Sequence, residues 1–115
     1  MIKHFIDIAD FKKKDLKSII NLAKRIKKNP NKFNNLLKNK FIGLLFEKQS
    51  TRTRISFDVG MKKIGGEVIF INKKEIGFGI RESEADIIKT LSQYIDCLVI
   101  RNNNHKKIKK FRRSI

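Results

Sequence analysis

Three features of the 115-residue sequence predict an α/β fold, specifically a partial doubly wound parallel sheet: short apolar runs of strand length, stretches of helical period between them, and regular alternation of the two. From Asp15 to Lys28, Leu16, Ile19, Ile20, Ala23 and Ile26 recur at spacings of three and four, which predicts a helix with one apolar face. That face is expected to be core and its lysines a solvated surface. The helix should stop at KKNPN, where Asn29 and Pro30 break the pattern. FIGLLF (41–46) is nearly continuous in apolar character, as expected of a strand buried on both faces of a parallel sheet. After EKQS, the run TRTRISFDVGMKKIG spaces Ile55, Val59 and Ile64, with Phe57 and Met61 beside them, in a pattern compatible with a helix. GEVIFI (66–71), opened by Gly65 and Gly66, predicts the second strand. SEADIIKTLSQYI (83–95) predicts another helix, with Ser83 as N-cap and Asp86 three places on, close to a capping box. CLVIR (97–101) predicts a third strand, and NNNHKKIKKFRRSI carries little apolar periodicity.

The length suits one domain with a modest core, and 40% hydrophobic residues with nine Phe suffice to fold it. A net charge of +17 suggests a polyanion partner, but its distribution argues otherwise. Residues 1–40 hold twelve Lys/Arg against three acids and residues 101–115 seven against none, while residues 41–100 hold nine against eight. The segment that carries the motifs is thus nearly neutral, and no aromatic interleaving, zinc-finger or RNP-like pattern accompanies the basic ends. A basic nucleic-acid-binding protein remains the disfavoured alternative. The single cysteine, Cys97, excludes an internal disulfide and fits a reducing, cytoplasmic compartment; within CLVI it is expected to be a buried structural thiol. His4 and His105 share no ligand spacing with Cys97 or each other, so neither a metal nor another cofactor is expected. No apolar run approaches the length of a membrane span.

The chemistry concentrates in LLFEKQSTRTRISFDVGM, residues 44–61. In an open parallel sheet ligands bind beyond the carboxyl ends of the strands, where a helix N-terminus offers free N–H groups to an anion. Ser50 to Thr53 occupy that place. The hydroxyls of Ser50, Thr51 and Thr53 add donors, and Arg52 supplies a planar fork matched to phosphate oxygens. The chain has seven Arg against 21 Lys, yet Arg52, Arg54, Arg81 and Arg101 all fall at predicted strand ends or loop-to-helix positions. Lysine would satisfy a need for charge alone; guanidinium implies directional contacts. The plainer alternative is that Ser50 or Thr51 caps the helix and the arginines pair with Glu47 or Asp58.

FEKQSTRTRISFDVGMKKIGG resembles the carbamoyl-phosphate signature of the aspartate and ornithine carbamoyltransferases, and ESEADIIKTLSQYIDCLVIR resembles the segment that follows it. Phe46-Glu47-Lys48 before the core and Val59-Gly60-Met61 after it look more like the ornithine branch, and HFIDIADF is similar to its N-terminus. The resemblance covers about residues 2–105. It implies a carbamoyl-phosphate-binding domain in which Ser50, Arg52 and Thr53, with their backbone amides, hold the phosphate while Thr51 and Arg101 polarise the carbamoyl oxygen. Arg101 is the expected catalytic residue, and Arg54 a structural or field charge. Carbamoyl phosphate is the implied ligand and ornithine the second substrate, the latter only where an ornithine-binding domain is supplied. The resemblance also implies a homotrimer in which a loop with Glu82 and Ser83 approaches a neighbouring subunit's site.

Departures from the family pattern are Gln49 in place of a common proline, Gly77 in place of a glutamine that reaches carbamoyl phosphate, and GIRES in place of Gly-Arg-Gly-Glu-Ser. The family's His-Pro-x-Gln segment and late Cys-Leu-Pro motif are not in the sequence, and His105 precedes no proline. The expectation is therefore residues 1–105 as the N-terminal part of an incomplete carbamoyl-phosphate-binding domain, and 106–115 as a basic tail foreign to the fold. An ornithine-binding domain is expected to be absent. Such a fragment is expected to be inactive alone, with a stand-alone phosphate or carbamoyl-phosphate binder as the alternative.

Overall fold

The computed structural model of the chain describes residues 4–46, 51–72 and 83–102, together with 106, 108 and 109. In chain order the elements are α1 (Lys13–Lys28), β1 (Phe41–Phe46), α2 (Thr51–Lys63), β2 (Glu67–Ile71), α3 (Glu84–Ser92) and β3 (Cys97–Arg101), with short 3-10 turns at Ile8–Asp10 and Pro30–Phe33. Among the described residues three strands form one parallel sheet, in the order β2-β1-β3. The three predicted strands, FIGLLF, GEVIFI and CLVIR, form where their apolar runs place them, β2 starting one residue later at Glu67.

The register sets Leu44 of β1 beside Phe70 of β2 and Val99 of β3, and Phe46 beside Arg101. β1 is buried from Ile42 to Phe46, which is why it reads as one continuous apolar run. Its side chains alternate between two cores. Ile42, Leu44 and Phe46 meet Met61 of α2 on one face, and Leu45, with Ile71, meets Ile87, Ile88 and Leu91 of α3 on the other. Helices on opposite faces make the sheet doubly wound.

Local chemistry fixes the ends. Helix α2 closes with Gly65 at φ +89°, its N–H donating to the Lys62 carbonyl while the Gly66 N–H reaches back to Met61, the hydrogen-bond pair of a Schellman cap. The Ser83 hydroxyl accepts from the Asp86 N–H at 3.1 Å, so the predicted N-cap is present. α3 ends at Ser92, short of the expected residue 95, because Gln93 and Tyr94 turn the chain toward β3. The Asp96 carboxylate then accepts the Phe41 N–H at 2.8 Å while its own N–H donates to the Phe41 carbonyl, aligning the starts of β1 and β3.

Two expectations are corrected. The apolar stripe of α1 is not core: no residue of the helix is buried, and Ile19 and Ile20 are 49% and 55% exposed. Periodicity identifies a face but not what covers it; α1 leans on the Pro30–Phe33 turn, with the Arg25 guanidinium 6.0 Å from the Phe33 ring centre. Cys97 is exposed rather than buried, since it opens the outermost strand. Its thiol is nonetheless pushed above the ordinary value, first by desolvation from packed neighbours and then by the Asp96 carboxylate, which keeps it in the poorly nucleophilic neutral form.

Candidate functional site

The chain leaves β1, builds β2 on one side, then crosses back over β1 to lay β3 on the other. Strand order therefore reverses between β1 and β3. The crevice beyond their carboxyl ends is the place where an open α/β sheet binds ligands. Helix α2 begins there, because Phe46 is the last residue of β1 and Thr51 the first of the helix.

Thr51, Arg52 and Thr53 form the first turn of α2, and Arg101 is the last residue of β3. The Arg101 Nη1 donates to Thr53 Oγ1 at 3.0 Å. This bond spans the β1/β3 crevice and joins two residues far apart in sequence. Thr53 is half-buried, whereas Thr51, Arg52 and Arg101 are exposed and able to reach a ligand. Ser50, the remaining expected phosphate ligand, lies outside the described residues, as do Glu47, Gln49, Gly77, Arg81 and Glu82.

The electrostatics of this turn are inverted relative to an ordinary helix start. The first turn of α3 carries Glu84 and Asp86, the signs a helix N-terminus favours, whereas that of α2 carries Arg52 and Arg54 and no acid. Each cation in such a place opposes the helix dipole by about 0.3–1 kcal/mol, a cost that an anion seated among the amides reverses. The charge of the first turn of α2 is thus of the sign that suits a negatively charged ligand.

Arg54 does not pair with Asp58, one of the plainer sequence alternatives. Asp58 takes Lys62 at 2.9 Å, one helical turn on, and the Arg54 guanidinium carbon lies 3.9 Å from the centre of the Phe70 ring. Phe70 in turn meets Phe46 edge to face at 6.3 Å. Sequence reasoning missed this stack, since only the crossover brings the two segments together; an aromatic at the β2 position beside Leu44 was the available signal. Among the described residues no group of three His, Cys, Asp or Glu is placed to hold a metal ion, and no helix is long and apolar enough to cross a membrane. A groove of about 730 Å³ elsewhere, along the outer side of β3 and lined by Phe5, Phe57, Ile88, Leu98 and Ile108, is apolar in character.

The sequence profile described as "Aspartate/ornithine carbamoyltransferase, carbamoyl-P binding domain" matches residues 3–115. The ornithine carbamoyltransferase of Rhizobium meliloti is 40% identical over 111 residues, covering 94% of this chain and 36% of the relative. The anabolic ornithine carbamoyltransferase of Campylobacter jejuni superposes with a TM-score of 0.88 at 31% identity, over 98% of this chain and 36% of that one. The ornithine carbamoyltransferase of Pyrococcus furiosus gives 0.89 at 29% identity, over 97% and 36%. The chain spans about a third of the length of these relatives. With the anion-suited turn at the end of β1 and a sequence match across nearly its whole length, the chain belongs to the aspartate/ornithine carbamoyltransferase family and corresponds to its carbamoyl-phosphate-binding domain.

Proposed function

We propose that the chain is the carbamoyl-phosphate-binding portion of an ornithine carbamoyltransferase, which transfers the carbamoyl group to the δ-amino nitrogen of ornithine and releases citrulline and phosphate. The observation that carries this reading is the hydrogen bond from Arg101 to Thr53 across the β1/β3 crevice. It sets a guanidinium beside the amide-rich first turn of α2, so that fixed positive charge and donors converge on one small anionic ligand. The ornithine branch is favoured by the names of the relatives above and by the residues flanking the Ser50–Arg54 core.

In this reading Ser50, Arg52 and Thr53 hold the phosphate and Thr51 and Arg101 draw electron density from the carbamoyl oxygen. The amine lone pair attacks the carbamoyl carbon, an oxyanion forms under Arg101, and the C–O bond to phosphate breaks as the charge passes to the phosphate cradle, the leaving phosphate taking up the proton that the attacking nitrogen gives up. The protein supplies position and preorganised charge, with no covalent intermediate and no metal. Ornithine contacts belong to the length of the relatives beyond this chain, and the trimeric arrangement and cytosolic setting are proposed for the enzyme with that length supplied, not for the 115-residue chain alone.

Calorimetric titration of the 115-residue chain with carbamoyl phosphate tests this reading. Saturable binding is expected, weakened in Arg52→Ala by on the order of ten- to a hundredfold, as befits loss of one or two charge-assisted hydrogen bonds. Citrulline is not expected to form when ornithine is added to the chain alone. Undiminished binding in Arg52→Ala, or affinity that follows the lysine-rich ends and collapses steeply with salt, would contradict the proposal and favour a polyanion-binding role.

A further inference from the structure

We propose that Arg54 is a positioning residue: its stack on Phe70 sets the rotation of the first turn of α2 and so aims Arg52 and Thr53 at the ligand. The proposal rests on the carbamoyl-phosphate reading for its ligand, but the clamp is a property of the free chain.

The geometry is two-sided. Helix α2 starts above the end of the central strand, and its first turn is tied to both neighbours. Thr53 accepts from Arg101 of β3 at 3.0 Å, and Arg54 lies over Phe70 of β2 at 3.9 Å. Successive residues on a helix are separated by about 100°, so Arg52 stands roughly 200° from Arg54, on the side away from the Phe70 ring. Holding Arg54 against β2 therefore turns Arg52 outward and leaves Thr53 between them, facing β3. Phe70 is itself braced edge to face by Phe46, the residue from which the chain departs for α2. The clamp thus connects the strand end, the neighbouring strand and the helix turn through one pair of rings.

Arginine suits this place for a reason that lysine does not share. A planar guanidinium stacks flat on an aromatic face and cannot lose its charge, whereas an ammonium makes a point contact and is more strongly hydrated. The stack also absorbs a cation that would otherwise stand unpaired at the positive end of the helix dipole. With Arg54 engaged, Arg52 is the guanidinium of that turn left to the ligand.

Phe70→Leu separates positioning from a simple field effect, because it keeps every charge in place while removing the aromatic face. In the 115-residue chain, carbamoyl phosphate affinity measured by calorimetry is expected to fall roughly tenfold in Phe70→Leu and in Arg54→Gln, with little further loss in the double variant. Phe70→Tyr, which keeps the ring face, is expected to restore affinity to within about twofold of the parent. A parallel readout needs no ligand. The backbone amide resonances of Arg52 and Thr53 should move in Phe70→Leu but not in Phe70→Tyr, while those of Ile87 and Ile88 in α3, on the other face of the sheet, hold still. If the parent chain does not bind carbamoyl phosphate, the functional reading fails and the amide shifts alone decide the clamp. Unmoved Arg52 and Thr53 amides, or parent-like affinity in Phe70→Leu, would overturn it.

Discussion

Gly65 shows how one residue ties the helix carrying the site to the rest of the chain. It holds φ +89° at the end of α2, and a Cβ there would stand 2.5 Å from the Asn34 carbonyl oxygen, a backbone atom that cannot swing aside. Gly60, in the same helix, has nothing within 4 Å of a built Cβ and ordinary helical geometry. The same substitution should therefore have opposite signs at the two positions. Gly65→Ala is expected to destabilise by about 2 kcal/mol or more through a left-handed backbone and a clash. Gly60→Ala is expected to stabilise by about 0.5–1 kcal/mol through helix propensity. For a domain of this size each kcal/mol corresponds to roughly 4–8 °C in Tm, so thermal unfolding followed by circular dichroism resolves the two. Equal Tm values for the pair would show that the Asn34 contact does not constrain the end of α2.

At the scale of elements, β1 is the strand on which everything else depends, and Gly43 is its point of closest approach. A Cβ at Gly43 would lie 2.8 Å from Ile95 Cδ1 and 3.0 Å from Ile71 Cδ1. Both are ends of flexible side chains, so Gly43→Ala is expected to fold but to lose about 1–3 kcal/mol through overpacking on the α3 face. Urea unfolding checks this, with a lower midpoint and an unchanged slope as the expected outcome. FIGLLF was legible because a doubly buried parallel strand must be apolar throughout, whereas CLVIR, an outer strand with exposed ends and a half-buried middle, was legible from the length of its apolar run alone. The N-cap at Ser83 was legible for an equally local reason. The Thr53–Arg101 hydrogen bond itself was not predicted: the sequence put each residue at the ligand edge of the sheet and the resemblance gave both to one ligand, but only the strand order makes β1 and β3 neighbours. The Arg54–Phe70 stack was not legible, since the sequence offered Asp58 as a nearer opposite charge and gave no measure of distance across the crossover. The exposure of α1 was hidden for the reverse reason: a strong apolar period exists whether or not something covers it.

For the molecule as a whole, two long-range forces oppose each other. The +17 charge keeps copies apart, while the structure leaves apolar surface uncovered: Ile19 and Ile20 on α1, Ile69 and Phe70 on β2, and the apolar groove beside β3. β2 and β3 are also the outer strands of the sheet, and outer strands with apolar faces are sites of association. Repulsion between basic surfaces acts over about 10 Å at 0.1 M salt and about 3 Å at 1 M, whereas apolar burial is not weakened by salt. Raising the salt should therefore remove the repulsion first and let association win. Light scattering on the 115-residue chain is expected to give a mass near 13.5 kDa at low salt that climbs with ionic strength and with protein concentration. The direction of the salt effect discriminates between roles for the charge. A nucleic-acid contaminant or polyanion partner would instead be released as salt rises, so that mass falls and absorbance at 260 nm is lost. A mass that stays at the monomer value across the whole range would mean that the exposed apolar faces of α1, β2 and the β3 groove are too scattered to bring two copies together.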